Sequence, residues 1–477
     1  MKTALDPSPV RRRLVEHFDT LAPLRERWVL RNSYYHEQLA RTFSFFIPPA
    51  HSVLEVGCGI GQLLAALRPA RGVGLDISPE MVRVARQRDS RLEFRVRDVE
   101  ALDLEEKFDY VVVSDLVGFL YDVQRGFENL RSVCTPRTRL VVSYYNFLWE
   151  PVLLLGEKLG LKPKQPVQNW LTASDLENLL NLAGFEVIRK VSRVLLPIRI
   201  PVISTLCNRW LANLPLFRRL ALVFVLVARP KPAPRATDYT CSVVIPARNE
   251  RGNIEAAVRR TPRLGTRTEI IFVEGGSNDG TLEEIQRVIR ATPERDITLV
   301  RQGSGRGKGD AVRRGFAAAT GDVLMILDAD LTVAPEALPR FYRTLVTGEG
   351  ELVHGSRLVY PMQHQAMRSL NILGNKLFSL IFSYLLDQRF KDTLCGTKVL
   401  FRADYEQIAA NRSYFGDFDP FGDFDLLFGA AKLNLKIVEI PIHYFARTYG
   451  NTNISRFRHG WLLLKMSLFA MRKLKFV

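Results

Sequence analysis

The chain has 477 residues, 47% of them hydrophobic, and its 67 Lys plus Arg against 50 Asp plus Glu give a net charge of +17. That length exceeds the usual single core and predicts two domains, while the charge favours an anionic partner: nucleic acid, a sugar nucleotide or an acidic lipid surface. Five scattered cysteines (Cys58, Cys134, Cys207, Cys241 and Cys395) form no CxxC pair, which disfavours a zinc site or a disulfide framework and fits a reducing cytoplasm.

Residues 1–19 are charged and carry no apolar core segment, so no signal peptide is expected. Residues 1–50 read as helical and aromatic-rich, with Tyr34, Tyr35, Phe43, Phe45 and Phe46, and Pro48-Pro49 closes them. An apolar strand, Val53-Leu54-Glu55-Val56, then enters the turn Gly57-Cys58-Gly59-Ile60-Gly61, where glycine lets the backbone approach a ligand closely. A second strand, Gly72-Val73-Gly74-Leu75-Asp76, ends in an acid suited to holding ribose hydroxyls. Further on, Thr172 or Ser174 caps a helix that Gly184 closes, and 186–193 and 220–228 read as late strands. Segments 144–169 and 194–219 are insertions, either of which could form a substrate lid. His17, His36 and His51 read as ordinary surface or packing histidines.

The pieces VLEVGCGIG, GLDIS, RVRDVEALD and FDYVVVSDLVGFL resemble the class I S-adenosylmethionine-dependent methyltransferase family. The resemblance implies a Rossmann-like fold in which Glu55 precedes the cofactor turn and Gly57, Gly59 and Gly61 admit the methionine part of S-adenosylmethionine. It further implies that Asp76 binds the ribose, that Asp98 contacts the adenine amino group, and that Ser114 and Asp115 flank the cofactor. No catalytic base is recognisable in this half, and no NPPY-type motif follows the fourth strand. Methyl transfer from a sulfonium depends mainly on in-line positioning, so activity does not require one.

Residues 228–238 hold three prolines and no periodic apolar pattern, which predicts a stiff connector. The expected organisation is a first domain at 1–230, a proline-rich linker at 231–239 and a second domain at 240–477.

In the second half, strand 241–247 runs into Arg248-Asn249-Glu250, and strand 269–273 runs into Glu274-Gly275-Gly276-Ser277-Asn278-Asp279-Gly280. A third strand, 297–300, precedes the basic glycine loop 303–310, which holds Lys308 and opens a helix, a natural seat for phosphate oxygens. Because Gly309 follows Lys308, the loop departs from the nucleoside-triphosphatase pattern GxxxxGK[ST]. A fourth strand, 323–327, ends in Asp328-Ala329-Asp330, two hard oxygen donors suited to Mg2+ or Mn2+ beside a diphosphate. The alternation of strand and helix predicts a parallel sheet.

VVIPARNE, VEGGSNDGT, GRGKGDAV and ILDADL resemble glycosyltransferase family 2 with the GT-A fold, and among its members the polyprenyl-phosphate mannosyl and glucosyl transferases. The resemblance implies an inverting sugar transfer. Pro246, Arg248, Asn249, Glu250, Glu274, Asp279 and Lys308 would bind the nucleotide sugar, and Asp328 and Asp330 would hold the metal. Glu274 stands where the family usually has Asp. Asp423 or Asp425 would be the base for a hydroxyl acceptor, whereas a lipid phosphate is already ionised and needs none. Arg357, Lys398 and Arg447 would position an acceptor phosphate through charge-assisted hydrogen bonds, with Glu439-Ile440-Pro441, Arg447, Gly450 and Ser455 resembling the family's late E-x-P…R-x-x-G element. No QxxRW motif is present, which disfavours processive synthases.

The basic tail after Glu439 interleaves Arg and Lys with Trp461, Leu462, Leu463, Leu464, Met466, Leu468 and Phe469, a pattern suited to a membrane interface. Segment 370–386 is a second amphipathic candidate. Neither it nor 220–228 reaches the ~18 uninterrupted apolar residues of a spanning helix. The combined expectation is an α/β chain of two doubly wound domains, cytoplasmic or peripheral on the inner membrane face. It would transfer sugar from a nucleotide-sugar donor to a lipid-phosphate or glycan acceptor, and methylate a related product. One alternative makes the first half a regulatory or scaffolding module that only binds S-adenosylmethionine. Another, a non-enzymatic binder of nucleic acid or membrane surface, is not favoured, because it leaves the ordered carboxylates without a role.

Overall fold

The computed structural model describes residues 8–233, 238–305, 307–360, 369–414, 423–450 and 456–475. The chain divides into two compact units, Met1–Lys231 and Pro232–Lys475. Part of the proline-rich connector, 234–237, lies outside the described residues.

The first unit opens with two helices, Ser8–Arg31 and Ser33–Phe46, the second closing just before Pro48-Pro49. Seven strands follow: β1 (Ser52–Val56), β2 (Arg71–Asp76), β3 (Glu93–Val96), β4 (Phe108–Ser114), β5 (Cys134–Tyr145), β6 (Phe185–Arg193) and β7 (Val223–Pro230). They pair in the order β3-β2-β1-β4-β5-β7-β6. β1 to β5 are parallel, and β7 runs antiparallel to both of its neighbours. Leu54, Val73, Val111, Val113, Leu140, Val142 and Leu226 are buried in one core, as runs of aliphatic residues are in a sheet covered on both faces. Thr172 caps the helix Ala173–Leu182 in a reciprocal box with Asp175. Strand order reverses beside β1: β2 lies on one side and β4 on the other. The crevice beyond the C-terminal ends of these strands is therefore the ligand position of such a sheet.

The second unit has β8 (Cys241–Ala247), β9 (Thr268–Glu274), β10 (Asp296–Arg301), β11 (Val323–Ile326), β12 (Leu352–Ser356), β13 (Lys398–Phe401) and β14 (Ile437–Pro441), paired as β10-β9-β8-β11-β13-β12-β14. The expectation of a parallel sheet needs correction here. β8 to β11 are parallel, but β13 enters between β11 and β12 antiparallel to both. Val323 to Leu327 are fully buried. The reversal of strand order beside β8 directs its C-terminal end and that of β11 to one edge, where Arg248-Asn249-Glu250 and Asp328-Ala329-Asp330 follow.

The tail forms the helix Arg456–Leu474, of which Leu463, Met466, Ala470 and Leu474 are buried and Trp461, Leu464 and Leu468 exposed. Helix Ser369–Leu386 packs against it. Much of the tail's apolar surface therefore covers the unit's own core. No helix among the described residues is long and apolar enough to cross a membrane.

Candidate active sites

In the first unit the chain leaves β1 through Gly57, Gly59 and Gly61, at φ 74°, 51° and 71°. A β-carbon on Gly57 would lie 2.9 Å from Leu116 Cδ1, and one on Gly61 2.5 Å from Phe94 Cζ, so packing requires glycine at both. Gly59 faces open space, which leaves its backbone approachable. Gly59 N donates to Asp76 Oδ2 at 2.8 Å, Ser78 N to Asp76 Oδ1 at 2.9 Å, and Leu64 N to Glu55 Oε2 at 2.9 Å. Burial raises the Glu55 carboxyl to about 8. Burial also raises Asp76, with the Ser78 and Gly59 N–H groups pulling it back.

A cavity of about 440 Å3 opens above this turn, and Gly57, Gly59, Asp76, Asp98, Ser114 and Asp115 line it. Glu55 and Gly61 do not line it; they brace the turn below. Asp98 accepts from Glu100 N at 2.8 Å and pairs with Arg11 Nε at 2.9 Å. Asp115 adopts φ 53°, a strained value at a strand end, and accepts from Tyr35 Oη at 2.8 Å and Ser143 Oγ at 3.3 Å.

Tyr35, His36 and Tyr145, to which the sequence assigned no site role, also line the cavity. The aromatic richness around them was the available signal. Burial, helped by Arg25, lowers His36 to about 4, so its imidazole is neutral at ordinary pH. Burial first, then the charge of Asp115, raises both tyrosines. The two insertions supply further wall: apolar surface through Trp149, Val152 and Leu153 from one and Pro197 and Ile198 from the other, beside Lys162, Gln165 and Gln168.

In the second unit the two polar turns lock together. Asn249 N donates to Ser277 Oγ at 3.0 Å, and Asn278 N to Asn249 Oδ1 at 3.0 Å, with Asn249 at φ 57°. Glu274 Oε1 accepts from Ser277 N at 2.6 Å. Burial pushes Asp279 up, but hydrogen bonds led by Thr281 outweigh it and hold the carboxyl low. Glu250 is raised to about 7 by burial, against the pull of Asn253 and Arg447. Pro246 is half-buried at the end of β8, and Arg248 is exposed.

Helix Gly307–Ala318 begins beside Lys308, and Lys308 Nζ lies 2.5 Å from Asp328 Oδ1. Arg447 Nη2 lies 2.6 Å from Asp330 Oδ2, and its Nη1 is 3.5 Å from Glu250 Oε1. Thr332 supports Asp330 Oδ1 through its N–H at 3.1 Å and its hydroxyl at 2.8 Å. Burial pushes Asp328 up, yet Lys308, Lys398 and Arg357 together hold it lowered. Gly396, in the loop before β13, faces this pair. A β-carbon there would lie 2.2 Å from both Asp328 Oδ2 and Lys308 Nζ.

This donor set could hold a hard divalent cation. Asp328 and Asp330 stand two residues apart at one strand end, each with a cationic group against it, and Gly396 leaves room beside Asp328. Among the described residues no group of three or more His, Cys, Asp or Glu comes together. Mg2+ or Mn2+ held by one or two carboxylates completes its shell with phosphate oxygens and water.

The expected acceptor cations are placed differently from one another. Lys398 is fully buried, its Nζ 2.6 Å from Cys395 O, so it does not present its charge at the surface. Arg357 is buried and bidentate to Asp392 at 2.7 and 2.9 Å, with Tyr444 beneath it. Asp392 in turn is positioned by Glu439, which accepts from its N–H at 3.0 Å. Asp425 is held by Arg412 Nε at 2.7 Å. The Asp423 side chain, Arg306 and Ser455 lie outside the described residues.

Residues 242–408 match the model of glycosyl transferase family 2, and residues 30–190 match a methyltransferase domain. The chain carries a methyltransferase domain followed by a family 2 glycosyltransferase domain. The first is Rossmann-like and the second GT-A-like, each on a mixed seven-stranded sheet. The second is 36% identical over 120 residues to a dolichol-phosphate mannosyltransferase of Pyrococcus furiosus, covering 25% of this chain and 33% of that protein. It is 39% identical over 103 residues to an undecaprenyl-phosphate 4-deoxy-4-formamido-L-arabinose transferase of Pectobacterium atrosepticum, covering 21% and 31%. The chain thus spans about a third of the length of these curated relatives. The solved complex of the Haloferax volcanii Trm112 methyltransferase activator with a methyltransferase aligns over 47% of this chain and 100% of that one, at 20% identity and a TM-score of 0.37.

Proposed function

We propose that the chain is a bifunctional transferase. The second unit transfers a sugar, with inversion, from a nucleoside-diphosphate donor to a polyprenyl phosphate or another glycolipid or glycan acceptor. The first unit binds S-adenosylmethionine and methylates a related product, at the cytoplasmic face of a membrane.

The observation that carries the sugar-transfer reading is the paired arrangement of Lys308 with Asp328 and Arg447 with Asp330 at one strand edge. Asp328 and Asp330 would hold Mg2+ or Mn2+, which when bound offsets charge on the leaving diphosphate. Lys308, at a helix N-terminus, is placed to follow that charge as it develops. The locked turns of Asn249 and Ser277, with Glu274 and Asp279, would hold base and ribose, and Pro246, Arg248 and Glu250 would border them. A lipid phosphate attacks without a base. Arg447 would orient it, and the buried Arg357–Asp392 pair and Lys398 would support that edge from within. A hydroxyl acceptor would need Asp423 or Asp425 as base. The polyprenyl-phosphate class comes from the names of the two curated relatives.

For the first unit, Asp76 would take the ribose hydroxyls, Asp98 the adenine edge, and Gly59 the close approach of the methionine part. Glu55 and Gly61 would keep the turn in shape, and Ser114 and Asp115 would border the sulfonium. Tyr35 and Asp115, joined by a hydrogen bond, and the neutral His36 would border the methyl acceptor.

The deciding experiment incubates the full chain with a panel of nucleotide sugars, extracted lipids and S-adenosylmethionine, with and without Mg2+ or Mn2+, and reads products by mass. A hexose added to a lipid phosphate supports the reading. Absence of any sugar-bearing product across the panel opposes it.

A further inference from the structure

The two insertions of the first unit carry apolar surface that the unit itself leaves uncovered. Helix Glu150–Lys158 reads Glu-Pro-Val-Leu-Leu-Leu-Gly-Glu-Lys and buries none of its residues. Val152 and Leu153 face the cavity. Leu154, Leu155 and Leu159 are 47%, 55% and 63% exposed and do not line it. A helix this apolar is normally buried.

The second insertion lies alongside the first. Trp149 Nε1 donates to Leu220 O at 2.8 Å, and Asn146 Nδ2 to Arg219 O at 2.9 Å. It adds Leu206, Leu216 and Leu220, all more than half exposed. Large apolar side chains exposed in number on neighbouring segments mark an interaction site.

Its charge selects the partner. Segment 194–219 contains Arg199, Arg209, Arg218 and Arg219 and no acid, and 144–169 contains Lys158, Lys162 and Lys164 against Glu150 and Glu157. Arg199 pairs with Glu37 and Lys162 with Glu157, which leaves the exposed Lys158, Lys164, Arg218 and Arg219 to carry the excess. Exposed leucines set among basic residues fit the interface of an anionic bilayer.

We propose that the paired insertions, led by helix Glu150–Lys158, dock the first unit on an anionic lipid surface. The same segments wall the cavity, so docking brings its apolar rim against the bilayer and lets a lipid-borne acceptor enter without crossing water. The acceptor part of this inference rests on the methyltransferase reading; the docking part does not.

The test compares the full chain with L154Q/L155Q/L159Q and with L206Q/L216Q by flotation on vesicles of equal parts phosphatidylglycerol and phosphatidylcholine, and on phosphatidylcholine alone. Parent protein should float with the anionic vesicles, and each variant should lose about tenfold in partitioning. In lipid-free buffer the variants should keep the parent's melting temperature, mass and S-adenosylmethionine affinity. Equal flotation of parent and variants overturns the proposal. So does a lowered melting temperature, which would place the face against protein, or a parental dimer lost in the variants, which would make it a self-association surface. Floating protein that methylates no lipid leaves docking standing and removes only the acceptor assignment.

Discussion

Lys308 Nζ sits 2.5 Å from Asp328 Oδ1, and neither side chain could hold that position if residue 396 carried a β-carbon. A cation from the start of one helix and an anion from the end of β11 thus meet under a glycine supplied by the loop before β13. Each contributes a different charge to one spot, which is what the proposed leaving diphosphate and its metal would require.

Asp328→Asn keeps the shape of the side chain and removes its charge. Sugar transfer should fall by about 10^2–10^3-fold, the range seen when a developing charge loses a preorganised partner. S-adenosylmethionine binding, measured by calorimetry, should stay at the parent value. Undiminished turnover would remove Asp328 from the site.

Gly396→Ala inserts a methyl group 2.2 Å from both members of the pair. Turnover should drop by at least about tenfold while far-ultraviolet circular dichroism is unchanged. Gly374→Ala is the control, because a β-carbon there meets nothing within 4 Å in helix Ser369–Leu386. That variant should be stabilised by about 0.5–1 kcal/mol in chemical denaturation.

Glu55 links stability to pH. Its carboxyl is raised from 4.5 to about 8 by burial. Between those values the folded chain retains a proton that the unfolded chain has released. The contribution to stability is therefore complete below the window and lost as pH rises through it. Glu55→Gln keeps an oxygen for Leu64 N–H and cannot ionise. Its melting temperature should match the parent's at the acid end of the window and exceed it by several degrees above the alkaline end. A parallel pair of curves in differential scanning calorimetry would contradict this.

Asp76→Ala removes the acceptor of Gly59 N–H and of the proposed ribose hydroxyls. A hydrogen bond to a charged group contributes about 1.5–3 kcal/mol, so titration calorimetry should show S-adenosylmethionine bound at least about tenfold more weakly. Sugar transfer should be retained.

Arg447 is one of the groups that hold Glu250 down from the value burial alone would set. Arg447→Ala should raise KM for the sugar donor or acceptor and move any limb of the kcat/KM profile governed by Glu250 to higher pH. Arg447→Lys should restore part of the profile and less of the affinity, since a lysine cannot span Asp330 and Glu250 together. A profile that stays in place would separate Glu250 from the reaction.

Much of the fold could be read from local pattern. The strand preceding Gly57, the acid closing β2, the capped helix at Thr172 and the strand before Asp328 are each contiguous in sequence, and periodicity and turn chemistry act over that range. The antiparallel insertion of β13 could not be read this way, because a four-residue apolar strand carries no mark of its direction. The burial of Lys398 was equally hidden. Its charge suggested an exposed ligand, and only the sheet around it makes it an interior donor to Cys395 O.

What the sequence determined by itself was the chemical inventory and its order: the glycines and acids of the proposed cofactor turn, then the acids, lysine and arginine of the proposed diphosphate site, in two separate cores. Covalent spacing alone carries that information. The tertiary structure decided which of these groups meet. It set Lys308 against Asp328 and Arg447 against Asp330, gave Gly396 its purpose, and brought Tyr35, His36 and Tyr145 to the cavity. It also left the leucines of Glu150–Lys158 facing outward. Those outcomes depend on contacts between residues far apart in the chain, and such contacts form only when the sheets and their covering helices have closed.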